Sequence, residues 1–211
     1  MLGQSNISSG NSVHQSFDSD WLKVIAYYIS AVFSPPLTGF YGILLCSYAV
    51  DFPSIYFWTI LFLSLFLLLP TIYILFLVKK GVITDFHMKN REDRIRPLSI
   101  IFVHLLLSFM LYHYLGGPLI FMVLALCGLI MVGLIVFISL YWKISGHCAA
   151  AGGLFIIALN YYDKLVFILA LSVALVAWSR VRLGKHSLPQ TLVGIVLGAV
   201  VTFGLFSVWF N

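Results

Sequence analysis

Residues 118–142 are PLIFMVLALCGLIMVGLIVFISLYW, an apolar run that contains no charged residue. A helix of about 20 apolar residues crosses the hydrocarbon core of a bilayer, so this run predicts a transmembrane helix. Similar runs fill the chain, because 62% of its 211 residues are hydrophobic and only 9% are charged. A soluble domain carries far more charge than this. The composition therefore predicts one integral membrane domain.

Seven apolar runs predict an all-α polytopic bundle with six to seven transmembrane helices. Pro35-Pro36 interrupts the first apolar region, which is either one kinked span or an interfacial helix followed by a short one. Pro70 predicts a kink inside the second run. Residues 1–20 are polar and predict a disordered tail, which leaves 21–211 as the membrane domain. The predicted helices are 36–50, 53–78, 98–115, 118–142, 147–160, 164–180 and 189–210.

Three short polar segments separate these runs and hold most of the reactive side chains. The first is 89–97 (KNREDRIRP), the second is Ser145-Gly146-His147, and the third is 179–186 (SRVRLGKH). Two predicted spans separate each segment from the next, so all three return to one face of the membrane. The pair of helices before the third segment is short, with arms of roughly 22 Å. We therefore expect the second and third segments to lie below the membrane surface.

The side chains of these segments suit a phosphate ester, which needs fixed cations and hydrogen-bond donors. Lys89 and Arg96 are seven residues apart, on the same side of a helix, and Arg180 could approach the same anion from another helix. Arginine offers a planar fork of donors and lysine a point charge. Ser145 is a candidate N-cap, and Gly146 would let the backbone approach an anion at the helix N-terminus.

His147 and His186 are the two histidines of the second and third segments. A neutral imidazole can attack phosphorus, and a second, protonated imidazole can give its proton to the leaving alcohol. His104 and His113 fall inside a predicted span, on different helical faces, and predict packing or interface roles. The pattern therefore indicates a pair of catalytic imidazoles.

Metal ions, cofactors and nucleic acid are not expected. No cluster of carboxylates and histidines occurs at ligand spacing, and Cys46, Cys127 and Cys148 are scattered in apolar segments, as packing residues are. The net charge of +5 is attributed to loop residues that fix topology. Gly194 and Gly198 permit close helix contact, for which packing within the chain is favoured over a homodimer seam.

The three segments together resemble the signature of the type 2 phosphatidic acid phosphatase superfamily. The resemblance lies in Lys89 followed after six intervening residues by Arg96-Pro97, in Ser-Gly-His, and in Ser179-Arg180 followed after five intervening residues by His186. It covers the chain from about Lys89 onward. It implies a metal-independent lipid phosphate phosphatase acting on a phosphomonoester or a diphosphate such as an isoprenyl diphosphate. His186 would form a phosphohistidine, and His147 would act as acid and then as base. The implied phosphate-binding residues are Lys89, Arg96, Ser145, Gly146 and Arg180.

Two positions depart from the family pattern. Ile144 replaces the usual proline before Ser-Gly-His, and Gln190 replaces the usual aspartate four residues after the nucleophile. Gln190 can still accept an N–H from the His186 ring one helical turn away and orient it, but it supplies no negative charge. The alternatives to an active phosphatase are a catalytically impaired phosphate-lipid-binding protein and a transporter. A transporter is disfavoured, because no lysine, arginine or carboxylate lies deep within the spans after residue 98.

Localisation is predicted as integral to a membrane, with the bilayer and a lipid phosphate as partners. By the span count, eleven of the twelve lysines and arginines fall on the face of the polar segments. The positive-inside rule then places the site in the cytoplasm, whereas bacterial members of the resembled family mostly face outward. The expected location is the bacterial cytoplasmic membrane, with the side of the site left open.

Overall fold

The computed structural model describes the backbone of residues 9–83 and 92–210, and the chain forms eight helices and no strand within these ranges. The predicted all-α class is confirmed. A 3₁₀ turn, Asp163–Leu165, precedes the seventh helix. In chain order the helices are α1 Ser9–Val32, α2 Pro35–Ala49, α3 Ile55–Lys79, α4 Glu92–Tyr114, α5 Leu119–Ser139, α6 Gly146–Tyr161, α7 Val166–Arg182 and α8 Leu188–Phe210.

Five of the described helices are long and apolar enough to cross a membrane: α3, α4, α5, α7 with its 3₁₀ turn, and α8. A sixth span results if α1 and α2, which are bent by 49° relative to each other, cross as one broken span. The bend comes directly before Pro35 and Pro36, where two consecutive backbone N–H groups are missing. The apolar α6 has only 16 residues, roughly 24 Å, as predicted for this arm. The other arm, α7 with its 3₁₀ turn, has 20 residues and is long enough to span, so the prediction of two short arms is wrong for α7.

The first helix begins earlier than the sequence predicts. It starts at Ser9, so residues 9–20 are helical where a disordered tail is expected. Adding residues to an existing helix costs much less free energy than nucleating one, and the apolar residues 21–32 supply the existing turns. The polar stretch therefore continues a helix that its own composition would not start.

Helix α3 continues through Pro70, as predicted, and widens into a π-helical stretch at Leu63–Leu68. Backbone N–H groups there bond to the carbonyl five residues back. Pro70 has no N–H, so this pattern leaves the Leu65 carbonyl without a backbone donor. His104 of α4 supplies one, from Nε2 to Leu65 O at 2.8 Å. His104 is thus a packing residue that satisfies a backbone group inside the membrane, and its predicted packing role is confirmed.

Helices α6 and α8 form the most extensive helix contact among the described residues, because small residues line both surfaces. A Cβ atom added to Gly194 would lie 2.7 Å from the Ser145 carbonyl oxygen, and one added to Gly198 would overlap the backbone carbonyl of Ala149. These glycines let the two backbones touch. Packing within the chain, which the sequence favours for both glycines, is confirmed, and α8 is held directly against the start of α6.

Gly198→Ala should destabilise the bundle, because the new methyl group meets a backbone carbonyl that cannot rotate away. Overpacking of this kind costs about 1–3 kcal/mol or more, so the apparent melting temperature in detergent should fall by roughly 3–10 °C. Gly204→Ala on the same helix is the matched control, since nothing lies within 4 Å of its added Cβ. An equal melting temperature for both variants would contradict the close α6–α8 contact.

Candidate functional site

One cavity of about 350 Å³ brings the polar segments together. Arg94, His147 and Arg180 line it near the ends of α4, α6 and α7, and His186 lines it from the turn between α7 and α8, so the two predicted imidazoles face one space. The rest of the lining is mainly apolar and follows α6 as far as Ile157, ten residues and roughly 15 Å beyond His147. The cavity therefore has a cationic end with two histidines and a long apolar extension.

The second polar segment places the N-terminus of α6 at this cavity. Ser145 is extended and its Oγ accepts the Cys148 N–H at 3.4 Å, so the predicted N-cap is confirmed. Gly146, the first residue of α6, lines the cavity. The Ser145 N–H donates to the Gln190 carbonyl at 3.2 Å, which fixes the segment to α8. The positive end of the α6 dipole is therefore held where an anion would bind.

The third polar segment owes its spacing to the way α7 ends. Gly184 has a φ of +63°, a conformation that favours glycine. The Lys185 N–H then bonds to the Arg180 carbonyl at 3.1 Å and the Gly184 N–H to the Val181 carbonyl at 2.9 Å, which is the Schellman arrangement. The His186 N–H also reaches the Arg180 carbonyl, at 3.3 Å. The turn therefore attaches the histidine backbone directly to the arginine six positions before it.

Gln190 holds the His186 ring through a capping arrangement at the start of α8. Its Oε1 accepts the Ser187 N–H at 3.1 Å and lies 3.3 Å from His186 Nδ1. A backbone N–H can only donate, so the amide oxygen must face it, and Nδ1 must then carry the proton. Ser187 and Gln190 thus form an S-x-x-Q capping pair. The predicted orienting contact is confirmed, and it leaves Nε2 of His186 with the lone pair.

Arg180 is fixed by a residue of the first helix. Its Nη1 donates to Ser30 Oγ at 2.7 Å, and the side chains of Arg180 and Ser30 are only 2% and 3% exposed. Ile29 and Phe33 on either side of Ser30 pack on the cluster of buried residues that α6 and α7 share. The guanidinium of Arg180, a residue of α7, is therefore held by a side chain of α1 before any ligand binds.

The surroundings of His186 favour its neutral form. Burial lowers the pKa of this imidazole to about 3, and the positive charges of Arg180, Arg94 and Lys143 act in the same direction. The hydrogen bond to Gln190 opposes them. Since a neutral imidazole is the nucleophilic form, His186 is in the protonation state that a nucleophile requires at neutral pH.

The first polar segment contributes a different arginine from the predicted one. Arg96 is exposed and does not line the cavity, and Lys89 lies outside the described residues. Arg94 is 6% exposed, lines the cavity and donates from Nη1 to the Ile144 carbonyl at 3.1 Å. The placement of Arg96 thus departs from the prediction, because α4 already begins at Glu92 and turns this side chain away.

Lys143 is a second cation that the sequence prediction missed. Its Nζ donates to the Lys185 carbonyl at 2.7 Å, joining the residues before the second segment to the end of the third, and its charge acts on His186. A basic residue two positions before Ser145 is the only signal in the sequence that points to it. It strengthens the positive field at the polar end of the cavity.

Metal ligands do not cluster in the part of the chain that the structure describes, where no three or more His, Cys, Asp or Glu side chains converge. Cys46, Cys127 and Cys148 are buried and form no disulfide. This agrees with the packing role predicted for the cysteines. The prediction that the reaction needs no metal stays a prediction.

Comparison with known proteins gives one match. A model of the PAP2 superfamily matches residues 136–211, the part of the chain that holds the second and third polar segments. No curated protein and no solved structure matches the chain.

Proposed function

We propose that this chain, whose residues 136–211 match a model of the PAP2 superfamily, a family of phosphatases, is a member of that superfamily and a lipid phosphate phosphatase. It hydrolyses the terminal phosphomonoester or diphosphate of a membrane lipid through a phosphohistidine. The observation that supports this proposal best is the shape of this cavity, with two histidines and two buried arginines at one end and an apolar extension at the other. Such a cavity matches an amphiphile with an anionic headgroup.

In the first step, Nε2 of His186 attacks the terminal phosphorus and forms an N–P bond while the bond from that phosphorus to the bridging oxygen breaks. Protonated His147 gives its proton to that oxygen, so a phosphomonoester leaves as the lipid alcohol and a diphosphate leaves as the lipid monophosphate. Arg180 and the N–H groups at the start of α6 stabilise the charge on the nonbridging oxygens. Gln190 holds Nδ1–H of the nucleophile throughout.

In the second step, the now neutral His147 takes a proton from water, and the resulting hydroxide attacks the phosphorus of the phosphohistidine. The N–P bond breaks, inorganic phosphate leaves, and His147 is protonated again for the next cycle. Both histidines thus return to their starting states without a metal or an external proton carrier.

The test is phosphate release by the detergent-solubilised protein in the presence of a chelator, with phosphatidate, an isoprenyl diphosphate and water-soluble glycerol phosphate as substrates. Each buried CH₂ group contributes about 0.8 kcal/mol, so kcat/KM should be at least about 100-fold higher for the lipids. Equal values for phosphatidate and glycerol phosphate would rule out a lipid phosphatase. Binding of phosphatidate without phosphate release would favour the impaired lipid-binding protein.

Gln190→Leu should lower kcat by about 100-fold, because it removes the acceptor of both the ring N–H and the Ser187 N–H. Gln190→Glu keeps the shape of the side chain and should restore most of the rate, since its carboxylate can accept both bonds. Gln190→Asp should raise kcat by less than a thousandfold, because the Gln190 oxygen already holds the ring in the Nδ1–H tautomer, and it is the wrong tautomer that makes an amide so costly in hydrolytic triads. A thousandfold rise would instead identify this protein as an impaired relic.

We further propose the bacterial cytoplasmic membrane as the location of this integral membrane protein. Because eleven of twelve lysines and arginines fall on the face of the polar segments, the positive-inside rule favours a cytoplasmic site. Arg94 and Arg180 line the cavity and the charge of Lys143 acts on His186, so these three charges do not count toward topology. Of the nine lysines and arginines that remain, eight fall on the same face. An impermeant thiol reagent applied to intact cells, with a cysteine placed among residues 80–83, directly after α3, reports the side.

A further inference from the structure

Two threonines line the cavity beyond its cationic end. Thr38 lies on α2 and Thr71 on α3, and both belong to the wall of the cavity that holds the two histidines. Thr38 is only 3% exposed, and its Oγ has no hydrogen-bond partner among the described residues. The hydroxyl of Thr71 likewise makes no hydrogen bond within the described part of the chain. Two hydroxyl groups at this wall are therefore open to a ligand.

A hydroxyl group on a helix ordinarily bonds to a carbonyl of its own helix, because a buried polar group without a partner is costly. The described side chains that make this bond are Ser47, Thr59, Ser64, Ser172, Ser179 and Thr191. Thr38 departs from this pattern, although the Ser34 carbonyl one turn away accepts its backbone N–H at 2.8 Å. A donor that the helix itself leaves unused is thus present at the cavity.

Contacts between α2 and α6 show that the two helices run in the same direction. A Cβ atom added to Gly42 would lie 3.6 Å from Ile157 Cδ1. Further along both helices, the Tyr162 hydroxyl donates to the Leu45 carbonyl at 2.7 Å. Going back along α2 therefore leads towards the start of α6, where the cationic end of the cavity lies.

The depth of Thr38 follows from this alignment. Gly42 lies beside Leu154 and Ile157 of α6, which come roughly 10–15 Å after His147 along the helix. Thr38 precedes Gly42 by one turn, roughly 6 Å. It therefore lies roughly 5–9 Å beyond the level of His147, between the cationic end and the apolar extension.

Thr71 lines the same stretch of the cavity from α3. A Cβ atom added to Gly39, the neighbour of Thr38, would lie 2.7 Å from Leu67 Cδ2, so α2 and α3 touch there. Thr71 follows Leu67 by one turn, and α3 runs towards the first polar segment, so Thr71 lies roughly 6 Å nearer the cationic end. The two threonines thus border the cavity from two helices, about one turn apart along its length.

Hydroxyl donors at this depth match the ester linkages of a glycerolipid. In phosphatidate, the ester carbonyls follow the phosphorus after only a few bonds and precede the hydrocarbon chains. The chain of an isoprenyl phosphate is hydrocarbon from its first carbon. A carbonyl oxygen accepts a hydrogen bond and a threonine hydroxyl can donate one. Rotation about a single bond, between Cα and Cβ, turns the buried hydroxyl of Thr38 to the cavity.

We infer that Thr38 and Thr71 form a hydrogen-bonding subsite for the acyl ester carbonyls of a glycerolipid phosphate. This subsite makes glycerolipid phosphates the preferred substrates over isoprenyl phosphates and diphosphates. The inference deepens the proposed function and rests on it for the position of the phosphate. Both threonines bind the part of the lipid behind the phosphate, so they act on KM and leave kcat unchanged.

The test compares diacylglycerol phosphate with its dialkyl ether analogue, which has the same chain lengths but no ester carbonyl. For the wild type, kcat/KM should be about 5- to 50-fold higher for the diacyl lipid, the usual effect of hydrogen bonds to a buried acceptor. Thr38→Val and Thr71→Val remove the hydroxyl and keep the shape of the side chain. Their double variant should lose the preference through a higher KM for the diacyl lipid and should hydrolyse the ether lipid as the wild type does.

Ser139→Ala is the matched control. Its hydroxyl is also buried without a partner among the described residues, but Ser139 does not line the cavity, so this variant should keep the full preference for the diacyl lipid. Thr38→Ser retains the donor and should keep most of it. A wild type without the preference, or equal losses for the diacyl and ether lipids in the double variant, would overturn the subsite.

A second measurement does not depend on catalysis. Diacylglycerol should raise the apparent melting temperature of the wild type in detergent more than dialkylglycerol does, by the linkage between binding and stability. This difference should vanish in the double variant. Without lipid, Thr38→Val should melt at or above the wild-type temperature, because it replaces a buried hydroxyl that lacks a partner. A fall of several degrees would show that the hydroxyl holds the bundle rather than a lipid, which would refute the assignment.

The subsite and the proposed function fail in different ways. A wild type that hydrolyses an isoprenyl diphosphate far faster than either glycerolipid is still a lipid phosphatase, but its subsite assignment is refuted. Threonine-dependent protection by diacylglycerol in a protein that releases no phosphate supports the subsite and refutes the proposed hydrolysis.

Discussion

Replacing His186 by alanine should lower the rate of phosphate release from a lipid phosphate by about 10⁴-fold or more, as expected for the loss of a covalent nucleophile. The wild-type imidazole is neutral, because burial and three nearby cations lower its pKa to about 3, and Gln190 aims its Nε2 at the cavity. Initial rates in the presence of a chelator measure the loss. A brief reaction with radiolabelled substrate should also show an acid-labile phosphoenzyme in the wild type and none in the variant.

His113→Ala is the control for this experiment, since His113 is exposed and its Nδ1 lies 3.4 Å from Met122 Sδ. That variant should retain nearly the full rate. Phosphate release at the wild-type rate by His186→Ala would end the assignment of the nucleophile, even if the protein remained a phosphatase.

Because His186 is already neutral well below pH 5, its own titration should leave no acid limb in kcat/KM between pH 5 and pH 8.

Replacing His147 by asparagine should lower the turnover of a lipid phosphate by about 100- to 10,000-fold, the range for loss of a general acid and base. The effect should depend on the leaving group. An alkyl alcohol needs the proton from His147, whereas a nitrophenolate leaves without one. With nitrophenyl phosphate, the variant should therefore form the phosphohistidine at a nearly normal rate but hydrolyse it slowly.

A rapid burst of nitrophenolate followed by slow turnover is the expected signature of His147→Asn. Its amplitude should match the amount of enzyme, because one phosphoenzyme forms per site. If His147→Asn slows formation of the phosphoenzyme equally for alkyl and nitrophenyl phosphates, His147 only shapes the cavity. The purified variant should keep the wild-type melting temperature in detergent, since asparagine retains a polar group at the start of α6.

Local patterns in the sequence predict most of this fold. The run 118–142 corresponds to α5, Leu119–Ser139, and hydropathy misplaces its end by only three residues because Tyr141 and Trp142 are apolar yet lie beyond the helix. The contact of Gln190 with His186 was equally accessible, since it spans a single helical turn. Such features depend on neighbours along the chain, which the sequence displays directly.

Other features depend on how distant helices are rotated and packed. The spacing of Lys89 and Arg96 indicated a shared face, but which arginine faces the cavity depends on the rotation of α4 against α6. Nothing local distinguishes Arg94 from its neighbours, and the decisive bond, to Ile144, crosses 50 positions. Lys143 was missed for the same reason, because its role comes from a turn that follows two spans later.

The hydrogen bond between Ser30 and Arg180 has a consequence for anyone who divides this protein into parts. The signature residues and the region matched by the family model lie in the later portion of the chain, yet a hydroxyl group 150 positions earlier holds one of their cations. A fragment that keeps every motif but lacks α1 would lose this anchor. The part of the chain that holds the motifs therefore depends on the first helix, and truncation is a poor way to simplify the protein.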